Sequence, residues 1–213
     1  DLSGHDFWRN KATIRHLRFA DAPIVKADEV FFATESVLLT AEGTELSRLI
    51  DRYHIRPCPG GWQLAWISTF QPTSVDLVFG DQEEMGFGVR VATSITEKSG
   101  GVITSSSGER TALNTWGQPA DWCDYSGTVN GRPAGITIVP GRDNFRGCWW
   151  HNRDYGVFVA NPFGRAAMKQ GQPSSVRVPV GQQFTLRFTA IIHEGADYDP
   201  AAAIEHLKSR ISN

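Results

Sequence analysis

Two stretches of the chain carry side chains that could move protons or grip a polar ligand. The first, "NTWGQPADWCDYSGTV" (114–129), sets Gln118, Asp121 and Asp124 among Trp116, Trp122 and Tyr125. Sugars present apolar C–H faces and a fan of hydroxyls, so aromatic rings beside carboxylates and amides suit them. The second, "RDNFRGCWWHNRDYG" (142–156), sets His151, Arg153 and Asp154 directly behind Trp149 and Trp150. An imidazole with an ordinary pKa of about 6.5 serves as acid or base at neutral pH. Paired with a carboxylate, it supplies one protonated and one ionised group without extreme shifts. His151 with Asp124 or Asp154 is therefore the expected catalytic set. Trp116, Gln118, Asp121, Trp122, Trp149, Trp150 and Arg153 are the expected binding set. A plainer reading stands beside this one: both stretches are loops that plug a β fold, with aspartates capping turns and an Arg–Asp pair on the surface.

Other candidates are weaker. His5 and Asp6 in "SGHDFW" are too close together for a metal motif and are expected to be exposed, and Glu83 and Glu84 in "GDQEEMGFGVRVA" are expected to be solvated turn acids. The six histidines are scattered, with no HxH or HExxH spacing. No GxSxG elbow, P-loop or dinucleotide-binding fingerprint occurs, and "SSSGER" has no glycine pattern to cradle phosphate. Neither a metal nor an organic cofactor is expected.

The elements that must position these groups read as strands. Short runs rich in β-branched and aromatic residues recur between Gly, Pro, Asn and Asp, from "ATIRHLRF" through "GWQLAWISTF" to "QFTLRFTAII", giving about eleven strands. Trp62 and Trp66 share the parity expected of core-facing strand residues. One helix is expected, in "AAAIEHLKSRISN" after Pro200, with Ile204, Leu207 and Ile211 on one stripe. So many strands rarely stay in one open sheet, so an all-β, antiparallel two-sheet sandwich with one C-terminal helix, a single domain over residues 1–213, is expected.

Bulk properties narrow the function classes. A net charge of −2 over 213 residues argues against a nucleic-acid binder. No apolar run is long enough for a membrane-spanning helix. Cys58, Cys123 and Cys148 lack CxxC spacing, which excludes a disulfide framework or zinc ribbon. One disulfide with a free thiol and three reduced thiols both remain open. The compartment is open too, with a lean to a periplasmic or secreted bacterial protein.

Taken together, "HDFW", "EEMGFGVRVA", "NTWGQPADWCDYSGTVNGRPAGITI" and "HNRDYGVFVANPFG" resemble the DUF6807 family of bacterial proteins over nearly the whole chain. Members often carry the label "methane oxygenase PmoA" or "PmoA family protein". Particulate methane monooxygenase is an integral-membrane copper enzyme, whereas this sequence shows neither a span nor a tight copper-ligand cluster, so methane oxidation is not the expected activity. The resemblance implies an architecture like the galactose-mutarotase supersandwich. It also implies that a strand-rich portion upstream of "GHDFW" is absent here, leaving a sheet edge for a second copy or companion chain to cover. The expected function is carbohydrate-active, binding a saccharide or other small polar ligand with His–carboxylate chemistry. The alternative is a non-catalytic module that binds glycan or protein; a metal-dependent oxygenase ranks last.

Overall fold

A computed structural model describes residues 1–211, with side chains through Leu207. It is built mostly of strands: β1 (Thr13–Lys26), β2 (Glu29–Leu39), β3 (Glu45–Cys58), β4 (Gly61–Pro72), β5 (Leu77–Phe79), β6 (Phe87–Arg90), β7 (Val102–Ser105), β8 (Cys123–Val129), β9 (Arg132–Pro140), β10 (Trp149–Asn152), β11 (Val157–Asn161), β12 (Val176–Val178) and β13 (Phe184–Glu194). A five-residue helix, α1 (Thr111–Thr115), precedes β8, and α2 (Pro200–Ile211) follows β13.

Eight strands form one large antiparallel sheet in the order β1-β2-β3-β4-β13-β9-β8-β7. Strands β10-β11-β6 make a second sheet and β12-β5 a third. The smaller sheets pack on the inner face of the large one. Their Phe87, Trp150, Phe158, Phe79 and Val178 share a single core with Leu49, Ile103, Tyr125, Ile138 and Phe188 of the large sheet. The all-β fold with stacked sheets and a C-terminal helix is thus as the sequence led us to expect.

Two of the strands were not expected. β8 and β10 fall inside the two stretches read as loops. Their alternation is hidden because both faces are buried and the outer face carries polar residues: Asp124 in β8 and His151 in β10 are buried, each with a polar partner. With Asp124, His151 and Asn152 buried beside Cys123, Tyr125 and Trp150, each run is too short and too mixed to stand out as an alternating strand.

On the outer face of the large sheet, α2 lays Ile204 and Leu207 over Ile191 of β13, flanked by Trp122 and Tyr198. Ile211, the third residue of the expected stripe, lies outside the described side chains. The expectation for the Trp62 and Trp66 pair divides. Trp66 packs against the core, but Trp62 sits where the sheet outruns its covering layer and is 52% exposed. β1 is the edge of the sheet and is exposed along almost its whole length. All three cysteines are free thiols, with Cys123 and Cys148 buried.

A polar knot lies between α2 and the large sheet. Asp124 accepts hydrogen bonds from Thr137 Oγ1 at 2.7 Å and from Ser126 Oγ, and its Oδ1 lies 2.8 Å from His193 Nε2. The Tyr198 ring stacks flat on His193 with centroids 3.5 Å apart. Room for the imidazole comes from Gly135, its neighbour on β9. A methyl group on residue 135 would stand 2.6 Å from His193 Nε2. Gly135→Ala is therefore expected to push the ring off Asp124 and cost about 1–3 kcal/mol, read by urea denaturation; an unchanged midpoint would show that the ring is not seated in this way.

Candidate functional site

The two chemistry-bearing stretches do meet. Trp150 N–H donates to Gln118 O at 3.2 Å, Gly117 N–H donates to Trp150 O at 2.8 Å, and Pro119 bridges to Trp149. Their working side chains nevertheless diverge. Cys123 faces the core that it shares with Trp150, so Asp124, the next residue on β8, turns to the opposite face of the large sheet. His151 alternates with Trp150 on β10 and so faces away from that core on the other side. Both layers of the sandwich lie between them. Asp124 pairs with His193, and the expected His151–Asp124 pair does not form. Asp154 is half-exposed and lies 3.6 Å from Lys98.

The tryptophans do not wall one cleft either. Trp150 is fully buried, its indole N–H donating to Ala120 O at 3.1 Å. Trp116, Arg153 and Asp154 border one cavity of about 540 Å³, Trp149 and Asp121 a second of about 590 Å³, and Trp122 and Asp121 a third of about 410 Å³. Thr111 borders the first of these with φ at 77°, a left-handed conformation costly for a β-branched residue.

His151 is 2% exposed. Its Nδ1 has two neighbours, the Trp116 indole N–H at 3.2 Å and Glu83 Oε2 at 2.9 Å. A neutral ring accepts from the indole, whereas an imidazolium would donate to Glu83 and orphan the indole N–H. Burial and the adjacent Arg153 guanidinium favour the neutral ring, lowering its pKa to about 4. The Glu83 charge is instead met by Arg153, at 2.6 Å.

That ion pair lies next to a second device. Asn161, fully buried at the end of β11, donates through its amide to Gln82 O at 2.6 Å and Glu83 O at 2.9 Å. Its Oδ1 accepts from the N–H groups of Phe163 and Gly164. Asp81 extends the clamp. Burial alone would raise its pKa, but the N–H groups of Ala167, Ser174 and Ala166 outweigh burial and hold the carboxyl below the usual range. The turn at 81–85 is thus fixed from three sides. Glu83, expected to be solvated, is one of its anchors.

Beyond the fixed turn opens a further cavity, of about 400 Å³, between the edge strand β6 and the inner face of the large sheet. Its walls include Phe7, Trp8, Trp66 and Phe70, and its polar groups include His5, Asp6, Asp51, Gln82 and Glu84. His5 and Asp6 are half-buried here rather than exposed. Asp51 is 6% exposed; its Oδ1 accepts from Trp66 Nε1 at 2.8 Å and from Ser68 Oγ. Burial raises its pKa, and the two donors offset that only in part. With Oδ1 occupied by both donors, Oδ2 is the oxygen left for a further hydrogen bond. The sequence did contain a signal for this group: Leu49, Asp51 and Tyr53 share strand parity, placing a carboxylate on the core-facing side of β3.

From the cavity a row of rings crosses the inner face. Phe188, Phe87, Trp66, Tyr53, Phe32 and Phe19 follow one another with centroids 5.3, 5.0, 6.0, 4.7 and 6.3 Å apart. It begins in the core and ends at Phe19, 51% exposed.

A family model described as "Family of unknown function (DUF6807)" matches residues 1–208. The chain belongs to DUF6807. Its "HDFW" and "EEMGFG" segments, remote in sequence, both border the Asp51 cavity. A search of the curated proteins finds no match. No helix among the described residues is long and apolar enough to cross a membrane, and no group of three or more His, Cys, Asp or Glu residues among them is placed to hold a metal ion.

The state of His151 can be measured directly. Its folded pKa lies below the unfolded value, so the stability it lends is complete above about pH 6.5 and is lost as the pH falls through about 4. Long-range ¹H–¹⁵N spectra should show a neutral ring protonated on Nε2 at pH 6, titrating only near the acid limit. A midpoint at or above the ordinary histidine value would reverse the assignment.

Proposed function

We propose that this DUF6807 protein is carbohydrate-active, and that the Asp51 cavity is where it binds and acts on a saccharide. The carrying observation is the Asp51 carboxyl: buried, biased toward its protonated form, and set in a concavity walled by Trp8 and Trp66. A carboxyl whose pKa is raised by its surroundings is better placed to donate a proton to a sugar oxygen, and an ionised partner can take one from the opposite side. His5, Asp6 and Glu84 are the candidate partners that share the cavity. The rings supply apolar faces against which sugar C–H groups stack.

On this reading the residues first singled out do different work. Arg153 is a positioning residue that holds Glu83, and through it the turn presenting Gln82 and Glu84, while His151 accepts the Trp116 indole N–H beside that pair. Trp116 fixes the His151 tautomer. Asp124 ties the sheet to the Tyr198 segment rather than facing ligand. A second reading, a non-catalytic platform for glycan or protein, is favoured by the ring row running out to exposed Phe19 on the edge strand.

Asp51→Asn separates the two. The amide keeps an acceptor for Trp66 and Ser68 but cannot supply the proton. Turnover of a saccharide found by screening should fall about 100-fold or more, with binding retained; undiminished turnover would remove Asp51 from the chemistry, and no saccharide binding by the wild type would defeat the reading. The same variant carries a pH signature. Because the folded pKa of Asp51 is raised, its contribution to stability is full below the ordinary aspartate value and is lost as the pH rises through the raised one. Asp51→Asn should therefore melt above the wild type at pH 7, with the gap closing below about pH 4.

A further inference from the structure

Arg146 and Arg165 come together at the base of the β9–β10 loop, where charge is left unbalanced. Among the described residues neither forms an ion pair, and Arg146 makes one side-chain hydrogen bond, to Ser174 Oγ at 3.3 Å. Arg165 Nε is buried without a partner. Asp81, the acid that favours the charge on Arg146, has its oxygens engaged by backbone N–H groups. Burial and the charge of Arg165 together lower the pKa of Arg146. Leaving a buried guanidinium donor unpaired is costly, and two guanidinium groups held together whose nearest acid is spent on backbone N–H groups favour a bound anion.

The surroundings narrow the class of anion. The Arg165 guanidinium lies 5.6 Å from the Trp149 ring centroid, and Arg146 lies 4.6 Å from that of Phe145. Arg146 and Trp149 line the same cavity of about 590 Å³. Planar guanidinium forks bind carboxylate and sulfate oxygens through paired hydrogen bonds, and an indole face beside them takes the apolar side of a sugar ring. Asp121 lines the same cavity and offsets part of the arginine charge, so the balance suits one anionic substituent rather than several.

We propose that Arg146 and Arg165 form an oxyanion subsite beside Trp149 that receives the carboxylate or sulfate of an acidic saccharide. The oxyanion site stands on its own geometry; its assignment to a sugar rests on the saccharide reading above.

Calorimetric titration of the full chain tests this with four probes: inorganic sulfate, trigalacturonate, a sulfated disaccharide, and neutral sugars of matching length. An acidic sugar should bind at least about tenfold more tightly than its neutral counterpart, and Arg146→Gln should remove that difference while leaving neutral-sugar affinity unchanged. Arg146 is half-buried and held by a single long hydrogen bond, so this variant is expected to fold; Arg165→Gln, checked by its melting curve, is the second arm. Preference for trigalacturonate or for the sulfated sugar identifies which oxyanion is bound. Neutral and acidic sugars binding alike would overturn the subsite and leave the saccharide reading intact. Sulfate binding that Arg146→Gln abolishes, with no sugar bound at all, would uphold the oxyanion site and overturn its assignment to a saccharide. No anion binding, or anion binding unchanged in both variants, would overturn the site itself.

Discussion

The side-chain amide of Asn161 is the joint on which the candidate site depends. It is fully buried, and both its oxygen and its nitrogen are spent on backbone groups: two carbonyls of the 82–83 segment and two N–H groups of the 163–164 segment. A buried backbone group without a partner costs of order 1–3 kcal/mol, so one amide that satisfies four of them fixes two turns at once. It places the edge of the small sheet, with Gln82 and Glu84, against the inner face of the large one. The Arg153–Glu83 pair and the Asp81 clamp act on the same turn.

The large sheet then has unequal halves. Around β13, β9 and β8 both faces are covered, by the small sheets inside and α2 outside. Toward β1 the inner face opens, and the ring row passes from the core to half-exposed Phe19. Asp51 stands at that transition, dry enough for burial to favour its proton and open enough to border a cavity. A deeper position would leave it inaccessible, and a more exposed one would leave it an ordinary aspartate. The proposed oxyanion subsite at Arg146 and Arg165 lies beside Trp149 of the small sheet, so the two proposed sites are served by different loops of one scaffold.

How much could be read from the sequence follows from the same physics. The strands with one wet and one dry face, β2 to β4 and β13, announced themselves through alternation, and so did the fold class. β8 and β10 did not, because Asp124, His151 and Asn152 are polar, buried and paired, in runs too short and too mixed to stand out. The same pairing explains the site. Aromatic and acidic residues in "NTWGQPADWCDYSGTV" looked like ligand contacts, yet Trp122 packs under α2 and Asp124 meets His193. Their partners are distant in sequence, 69 residues away for Asp124 and His193, and no local pattern encodes that encounter. Conversely "HDFW" and "EEMGFG" looked like solvated turns, and only the folded chain brings them together beside Asp51. The parity of Asp51 with Leu49 and Tyr53 was the one local sign.

The central claim is that burial raises the pKa of Asp51 within a ligand cavity. The direct measurement is the titration of its side-chain carboxyl carbon by ¹³C NMR, assigned by comparison with Asp51→Asn, without ligand and with bound saccharide. The carboxyl is expected to titrate above the ordinary aspartate value of about 3.9 and to shift again when the cavity is filled and water is displaced. An ordinary or lowered midpoint, indifferent to ligand, would contradict it.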